Sequence, residues 1–140
     1  MNWKTCLFTV PILALTLEPA CRGDTIPPCP LPKGVSTVSY QDTPETLKKA
    51  LAVRFGPMAQ PGEEFDATDV VITHRNRRLI FIWKLASRWI VATEHGGRGY
   101  NDPILAYDIT RTAGDPMFIA QRIAFPETVC KIVMEMLETN

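Results

Sequence analysis

The segment Arg78–Glu94 reads RLIFIWKLASRWIVATE and decides the fold. Two runs rich in β-branched and aromatic residues, Arg78–Leu85 and Arg88–Glu94, are separated by only two residues. A link this short joins neighbouring antiparallel strands. Apolar side chains occupy both alternating faces of Leu79–Trp83, which is typical of a central strand that is covered on both sides. The segment therefore predicts a β-hairpin at the centre of a sheet.

Three more strands are predicted around this hairpin, because each is rich in β-branched and aromatic residues and is bounded by turn residues. They are Asp69–Thr73, Ile104–Thr110 and Met117–Phe125. A short link, 74–77, joins the first of them to the hairpin, and a Gly-Asp-Pro turn precedes the last. Short links between consecutive strands predict an antiparallel meander of about five strands.

Two amphipathic helices are predicted, one before and one after the strands. Thr43–Phe55 begins with a capping threonine and a proline and carries apolar residues at helical spacing. Pro126–Leu137 repeats apolar residues at i, i+3, i+4, i+7 and i+8. The predicted fold class is α+β: an antiparallel meander flanked by an N-terminal and a C-terminal helix, with both helices packed on one face.

Residues 1–23 have the three parts of a secretory signal peptide. Lys4 provides the positive charge, a mostly apolar run follows it, and small residues at Cys21 and Gly23 suit a cut after Gly23. The apolar run is too short for a membrane-spanning helix, which needs about 20 residues. The sequence thus predicts a periplasmic or secreted protein. The alternative is a lipid anchor on Cys21, against which Glu18 argues; without that lipid, no membrane association is predicted.

Export reduces the number of cysteines that remain available to form a disulfide. Cys6 lies in the signal peptide, and Cys21 is removed or lipidated, so Cys29 and Cys130 remain. Exported cysteine pairs are usually oxidised, and the sequence predicts a Cys29–Cys130 disulfide. No histidine or further cysteine lies at ligand spacing from either one. No metal site and no cofactor is therefore predicted.

The remaining chain predicts one domain preceded by an arm. Residues 24–40 include a proline-rich stretch that favours an extended arm, and residues 41–140 form the single α+β domain. The whole chain has 15 basic and 15 acidic residues, and removal of the signal peptide leaves it close to neutral. A general nucleic-acid binder should be strongly basic, so no nucleic-acid partner is predicted.

The most distinctive stretch is residues 94–102, EHGGRGYND, which we call the Gly-rich loop. Three glycines in four positions let the backbone turn freely and approach a partner closely. Arginine and tyrosine are also the residue types that dominate binding hot spots. The same composition suits a plain connection, since Asn, Asp and Gly favour turns. The predicted binding residues are His95, Arg98, Tyr100, Asn101 and Asp102.

The Gly-rich loop also contains three weak candidates for catalysis. In a small hydrolase, His95 would act as general base, with Glu94 or Asp102 orienting it. However, neighbouring residues on a strand point to opposite faces, and the chain has no G-x-S-x-G nucleophile setting. The leading hypothesis is an exported, non-enzymatic binding or accessory module. The alternatives are the hydrolase and a lipid-anchored envelope structural protein.

Basic side chains are concentrated between His74 and Arg98, a stretch with one acidic residue, Glu94. The segments on either side are acidic. A basic region of this kind can dock on an acidic surface. The predicted partner is therefore an unidentified protein or an anionic component of the cell envelope.

Overall fold

The computed structural model describes residues 29–68, 73–110 and 114–138. The predicted signal peptide and the predicted lipid site at Cys21 lie outside these residues, as does most of the predicted strand Asp69–Thr73. Within the described ranges, no helix has the length and apolar character that crossing a bilayer requires.

A five-stranded antiparallel sheet and two helices make up the fold, which confirms the predicted α+β meander. The strands follow one another across the sheet in the order of the chain. The helices are α1 (Glu45–Phe55), between the first two strands, and α2 (Val129–Glu138), after the last. The strands are β1 (Ser36–Val38), β2 (Arg77–Leu85), β3 (Arg88–His95), β4 (Asp102–Asp108) and β5 (Met117–Ala124).

The first strand differs from the prediction. β1 lies within the segment expected to be an extended arm, and its Thr37 pairs with Trp83 of β2. The place beside β2 that was expected for Asp69–Thr73 is taken by β1 at one end and by Ala59, bridged to Arg78, at the other. Three residues are too few to show a period of two, so this short strand left no recognisable pattern.

The two helices pack on opposite faces of the sheet, so the prediction that both cover one face is wrong. Leu47 and Leu51 of α1 share an apolar cluster with Val91, whereas Val133 of α2 shares another with Ile90. Ile90 and Val91 are neighbours in β3 and therefore point to opposite faces. Burial of each leucine stabilises the fold by about 1.5–3 kcal/mol. The apolar character of both faces of the central hairpin thus requires a helix on each side.

The predicted disulfide between Cys29 and Cys130 is present. It joins the segment before β1 to the first turn of α2, with the two Cα atoms 5.2 Å apart. Cys29 also packs against the apolar cluster beneath α2. Because 101 positions separate the two cysteines, the bond closes a long loop of the unfolded chain. A loop of that length corresponds to about 4–5 kcal/mol in the chain-entropy view.

Candidate functional site

The Gly-rich loop connects β3 to β4. The backbone N–H of His95 donates to the carbonyl oxygen of Asn101 at 2.8 Å, which closes the base of the turn. Gly97 and Gly99 have φ values of 84° and 81°, in the left-handed region that glycine adopts without strain. The Asn101 side chain donates to the carbonyl oxygen of Gly99 at 2.6 Å. The turn is therefore internally hydrogen-bonded, and Arg98 and Gly99 are exposed at its tip.

The Gly-rich loop is also packed against the segment before β2. The backbone N–H of Gly96 donates to the carbonyl oxygen of Asn76 at 2.9 Å, and that of Gly97 donates to Ala67 at 3.0 Å. A Cβ atom on Gly96 would lie 2.1 Å from the carbonyl oxygen of Asp66. No side chain fits at that distance, so glycine is required there for the two segments to meet. The conformation of the loop is thus fixed from outside as well as from within.

Beneath the loop, Glu94 accepts hydrogen bonds from two directions. The Tyr100 hydroxyl donates to Oε1 at 2.6 Å, and the Arg78 guanidinium donates to Oε2 through two nitrogens at 3.0 and 2.6 Å. Arg78 also stacks over the Phe65 ring, 4.5 Å from its centroid. The Glu94 side chain is only 6% exposed, so these contacts replace its water. Burial, and then the bond to Glu94, raise the pKa of Tyr100, which therefore donates as a neutral phenol.

Asp102 lies in the same cross-strand row as Glu94. Ala92 of β3 pairs with Ile104 of β4, and His95 forms a bridge to Asn101. The same register places Glu94 opposite Asp102. Side chains directly opposite each other in a sheet lie about 5 Å apart. Asp102 is 0% exposed, and neither of its carboxylate oxygens has a hydrogen-bond partner among the described residues. Burial, then the charges of Glu94 and Glu127, raise the pKa of Asp102 to about 7.

His95 does not join the two carboxyl groups. It pairs with Arg77 across β2 and β3, so its side chain points to the face opposite Glu94. Its Nε2 lies 3.4 Å from the Asn76 side-chain nitrogen. Burial, and then the charge of Arg77, lower the pKa of His95, which favours the neutral ring. A general base at His95 oriented by Glu94 or Asp102 is therefore not supported by this geometry.

Two surface depressions lie away from the Gly-rich loop. One is lined by residues from the end of α1 and the segment after it, including Tyr40, Met58 and Gln60. The other lies beside the β2–β3 turn and includes Ser36, Ser87 and Trp89. Neither contains a residue of the loop, so the carboxyl pair opens into neither. Among the described residues, no three His, Cys, Asp or Glu side chains cluster as metal ligands would.

Arg78 and the pairing of Glu94 with Asp102 were missed in the sequence. A usable signal was present, because Glu94 continues the alternation of Ile90 and Ala92 along β3. Asp102 similarly continues the alternation of Ile104 and Ala106 along β4. The predicted strand Arg88–Glu94 already contained Glu94, and extending the predicted strand Ile104–Thr110 by two residues would have placed the two carboxyl groups opposite each other. Of the predicted binding residues, Arg98 is exposed, Asp102 is buried, and the other three are partly buried.

Comparison of the chain with models of known protein families, with characterised proteins and with solved structures gives no match. Two features of the geometry matter most: the Gly-rich loop is hydrogen-bonded within itself and to the segment before β2, and the carboxyl groups at its two ends, Glu94 and Asp102, are buried.

Proposed function

We propose that this protein is an exported, non-enzymatic binding module that contacts a partner through the tip of its Gly-rich loop. The observation that carries the proposal is the fixed conformation of the loop, whose backbone is bonded to Asn76 and Ala67 while Arg98 stays exposed. A loop ordered before binding loses little conformational entropy on association, which favours affinity. Arginine at such a tip is a frequent hot-spot residue.

The carboxyl pair supports a structural role over a catalytic one. A catalytic acid or base must come within hydrogen-bond reach of its substrate. Asp102 is 0% exposed, and Glu94 is already bonded to Arg78 and Tyr100. The hydrolase alternative therefore has no observation in its favour. In our proposal Glu94 holds the base of the loop, and the partner contacts its tip.

An oxidising compartment is part of the proposal, and the Cys29–Cys130 disulfide supports it. The signal peptide and its cut after Gly23 belong to the same proposal. The lipid-anchored alternative depends on Cys21, which lies outside the described residues. We propose the tip of the Gly-rich loop as the contact surface in both arrangements.

The partner we propose is a protein surface rather than a polyanion. Most of the basic side chains between His74 and Arg98 are engaged within the molecule. Arg75 pairs with Glu63, Arg78 pairs with Glu94, and Arg77 stacks over the Phe55 ring. A polyanion is bound by several free cations acting together. Arg98, exposed at the tip beside a tyrosine and an asparagine, suits a local protein contact.

The test is recovery of envelope proteins by the immobilised wild type, an Arg98→Ala variant and a Lys49→Ala variant. Both substitutions remove one positive charge from an exposed position, but Lys49 lies on α1, away from the loop. We expect a partner that the wild type and Lys49→Ala recover equally and that Arg98→Ala recovers at least about tenfold less, a difference of about 1.4 kcal/mol. Equal recovery by all three proteins would contradict the proposal that the partner binds the Gly-rich loop.

A further inference from the structure

The outer side of β5 is an open sheet edge. β5 is the last strand in the sheet and, among the described strands, pairs with β4 alone. Its outward backbone N–H and C=O groups are therefore available to another strand. The opposite edge of the sheet is β1, which has three residues, whereas β5 has eight. A long edge is a template for strand addition, and a short edge is protected from it.

β5 has one irregularity, at Ile119, which has no partner in β4 because the register shifts between Ala106 and Tyr107, but it lacks the side chains that usually protect an edge. Natural edges carry proline or several charges, especially lysine. β5 contains no proline and a single charged residue, Arg122, which donates to Glu135 of α2 at 2.7 Å. Phe118, Ile119 and Ile123 are each at least 40% exposed. Exposed apolar residues gathered along one edge indicate an interaction surface rather than scattered surface variation.

We infer that β5 pairs antiparallel with β5 of a second copy of this chain, with the two-fold axis passing beside Gln121. In this register Ile119 of one subunit faces Ile123 of the other, and the symmetry repeats that contact on the other side of the axis. Gln121 faces itself, and Arg122 faces Ala120. A two-fold interface must be complementary to itself, and the sequence of β5 meets this condition about Gln121.

Charge excludes the neighbouring register. With the axis at Arg122, two guanidinium groups would oppose each other directly, which is destabilising. With the axis at Ala120, Ile119 would face Gln121, and the two Ile119–Ile123 contacts would be lost. The Gln121 register also leaves the Arg122–Glu135 ion pair of each subunit unchanged. Arg54 of α1 donates to Gln121 and stacks on Phe118 within its own subunit, so its charge is already engaged.

The pairing predicts a continuous sheet of two subunits, and this goes beyond the proposed function because it uses a different surface. The test is sedimentation equilibrium of the exported wild type and three variants over a wide range of protein concentration. We expect the wild type to dimerise. Ile119→Lys should weaken the dimer at least about tenfold, because the lysine would have to be desolvated against Ile123. Adding Ile123→Glu to Ile119→Lys should restore the dimer, since each lysine then faces a glutamate.

Val53→Lys is the matched control. Val53 is 89% exposed on α1, so this variant introduces the same charge at an apolar surface position away from the edge, and its dimer should equal that of the wild type. Circular dichroism verifies that each variant is folded. A wild type that stays monomeric at every protein concentration would overturn the inference. A strand of another protein would then be the expected partner of this edge. A dimer that survives Ile119→Lys would overturn the edge as the interface, and failure of the Lys–Glu pair to restore association would overturn the register.

Discussion

Beneath the Gly-rich loop the molecule buries Glu94 and Asp102, whereas along β5 it exposes Phe118 and Ile123. Each region reverses the usual distribution of polar and apolar side chains. Both buried carboxyl groups lie among their own strands, and Glu94 bonds to Arg78 and Tyr100 within the subunit. The exposed apolar side chains lie where the sheet ends, and Phe118 is partly covered by Arg54 and Tyr107 of its own subunit. The first region therefore serves the conformation of one chain, while the second is suited to association between chains.

The buried region is held by one cation. Two carboxylates that face each other across strands repel, and burial strengthens the repulsion. Arg78 bonds to Glu94 and neutralises one of the two charges, whereas Asp102 receives no hydrogen bond among the described residues. The two opposed carboxyl groups therefore lower the stability of the fold. Glu94 nevertheless accepts a hydrogen bond from Tyr100, which holds the end of the Gly-rich loop in place. The charged groups of this region can be removed one at a time by substitution.

The largest effect is expected from Arg78→Met, which keeps an unbranched apolar stem and removes the guanidinium charge. Glu94 would then be buried beside Asp102 with no cation, and breaking a buried ion pair in this way costs about 3–5 kcal/mol. We expect a loss of that size in urea denaturation at pH 8. The loss should be smaller at pH 5, because protonation of Asp102 removes one of the two opposed charges.

Arg75→Met is the control for this prediction, since Arg75 pairs with Glu63 where both side chains are well exposed. Exposed pairs contribute about 0–1 kcal/mol. If the two variants lose equal stability, the burial of Glu94 does not strengthen its ion pair. The proposed difference between the buried carboxyl groups and the exposed edge would then be wrong for the carboxyl groups.

A smaller effect of opposite sign is expected from Asp102→Asn. The pKa of Asp102 is raised from 3.8 to about 7 in the folded protein, so the unfolded chain releases its proton first as the pH rises. The wild type should therefore lose stability between about pH 4 and pH 7, and the loss is complete above that window. The neutral amide avoids this loss, and we expect Asp102→Asn to be about 1–3 kcal/mol more stable than the wild type at pH 8 and equal to it at pH 4.

Urea denaturation across this pH range measures the effect, and Asp115→Asn provides the matched control at an exposed turn position. That control should follow the wild type at every pH. A difference between Asp102→Asn and the wild type that stays constant from pH 4 to pH 8 would show that ionisation of Asp102 is not the cause.

The strands β2 to β5, both helices and the disulfide were accessible from the sequence because each depends on a local pattern or on counting. The sequence did not predict which face of the sheet each helix covers. The central hairpin is apolar on both faces, so a helix can pack on either face. The row from Arg78 through Glu94 to Asp102 depends on the register of three strands. Pro103 concealed it, because proline disfavours a strand and Asp102 before it was assigned to the loop.

The open edge was missed for a different reason. Composition and the preceding turn predicted β5 correctly, but the burial of its side chains depends on which strands lie beside it. Ile104 and Ile123 both belong to apolar strand segments, yet Ile104 is 0% and Ile123 is 49% exposed. The sequence of a strand does not say whether it lies at the centre or the edge of a sheet, and the order of the whole meander was needed to place β5.

The smallest effect on the isolated subunit is expected from Ile123→Thr, compared with Ile104→Thr. Each change replaces a methyl-bearing branch with a hydroxyl and keeps the β-branched shape that suits a strand. At Ile104 the hydroxyl would be buried beneath α2, which costs about 2–4 kcal/mol through lost apolar burial and an unpaired polar group. At Ile123 the cost to a dissociated subunit should be below about 0.5 kcal/mol, as for other exposed positions. Chemical denaturation at low protein concentration measures both.

Raising the protein concentration then separates the two sites. A dimer formed through β5 stabilises the folded state by mass action, so the difference between the wild type and Ile123→Thr should grow with concentration. The difference for Ile104→Thr should stay constant, because that side chain lies inside the subunit and not at its edge. If Ile123→Thr costs as much as Ile104→Thr in the dilute protein, the apolar side chains of β5 stabilise their own subunit, and the distinction between the two regions disappears.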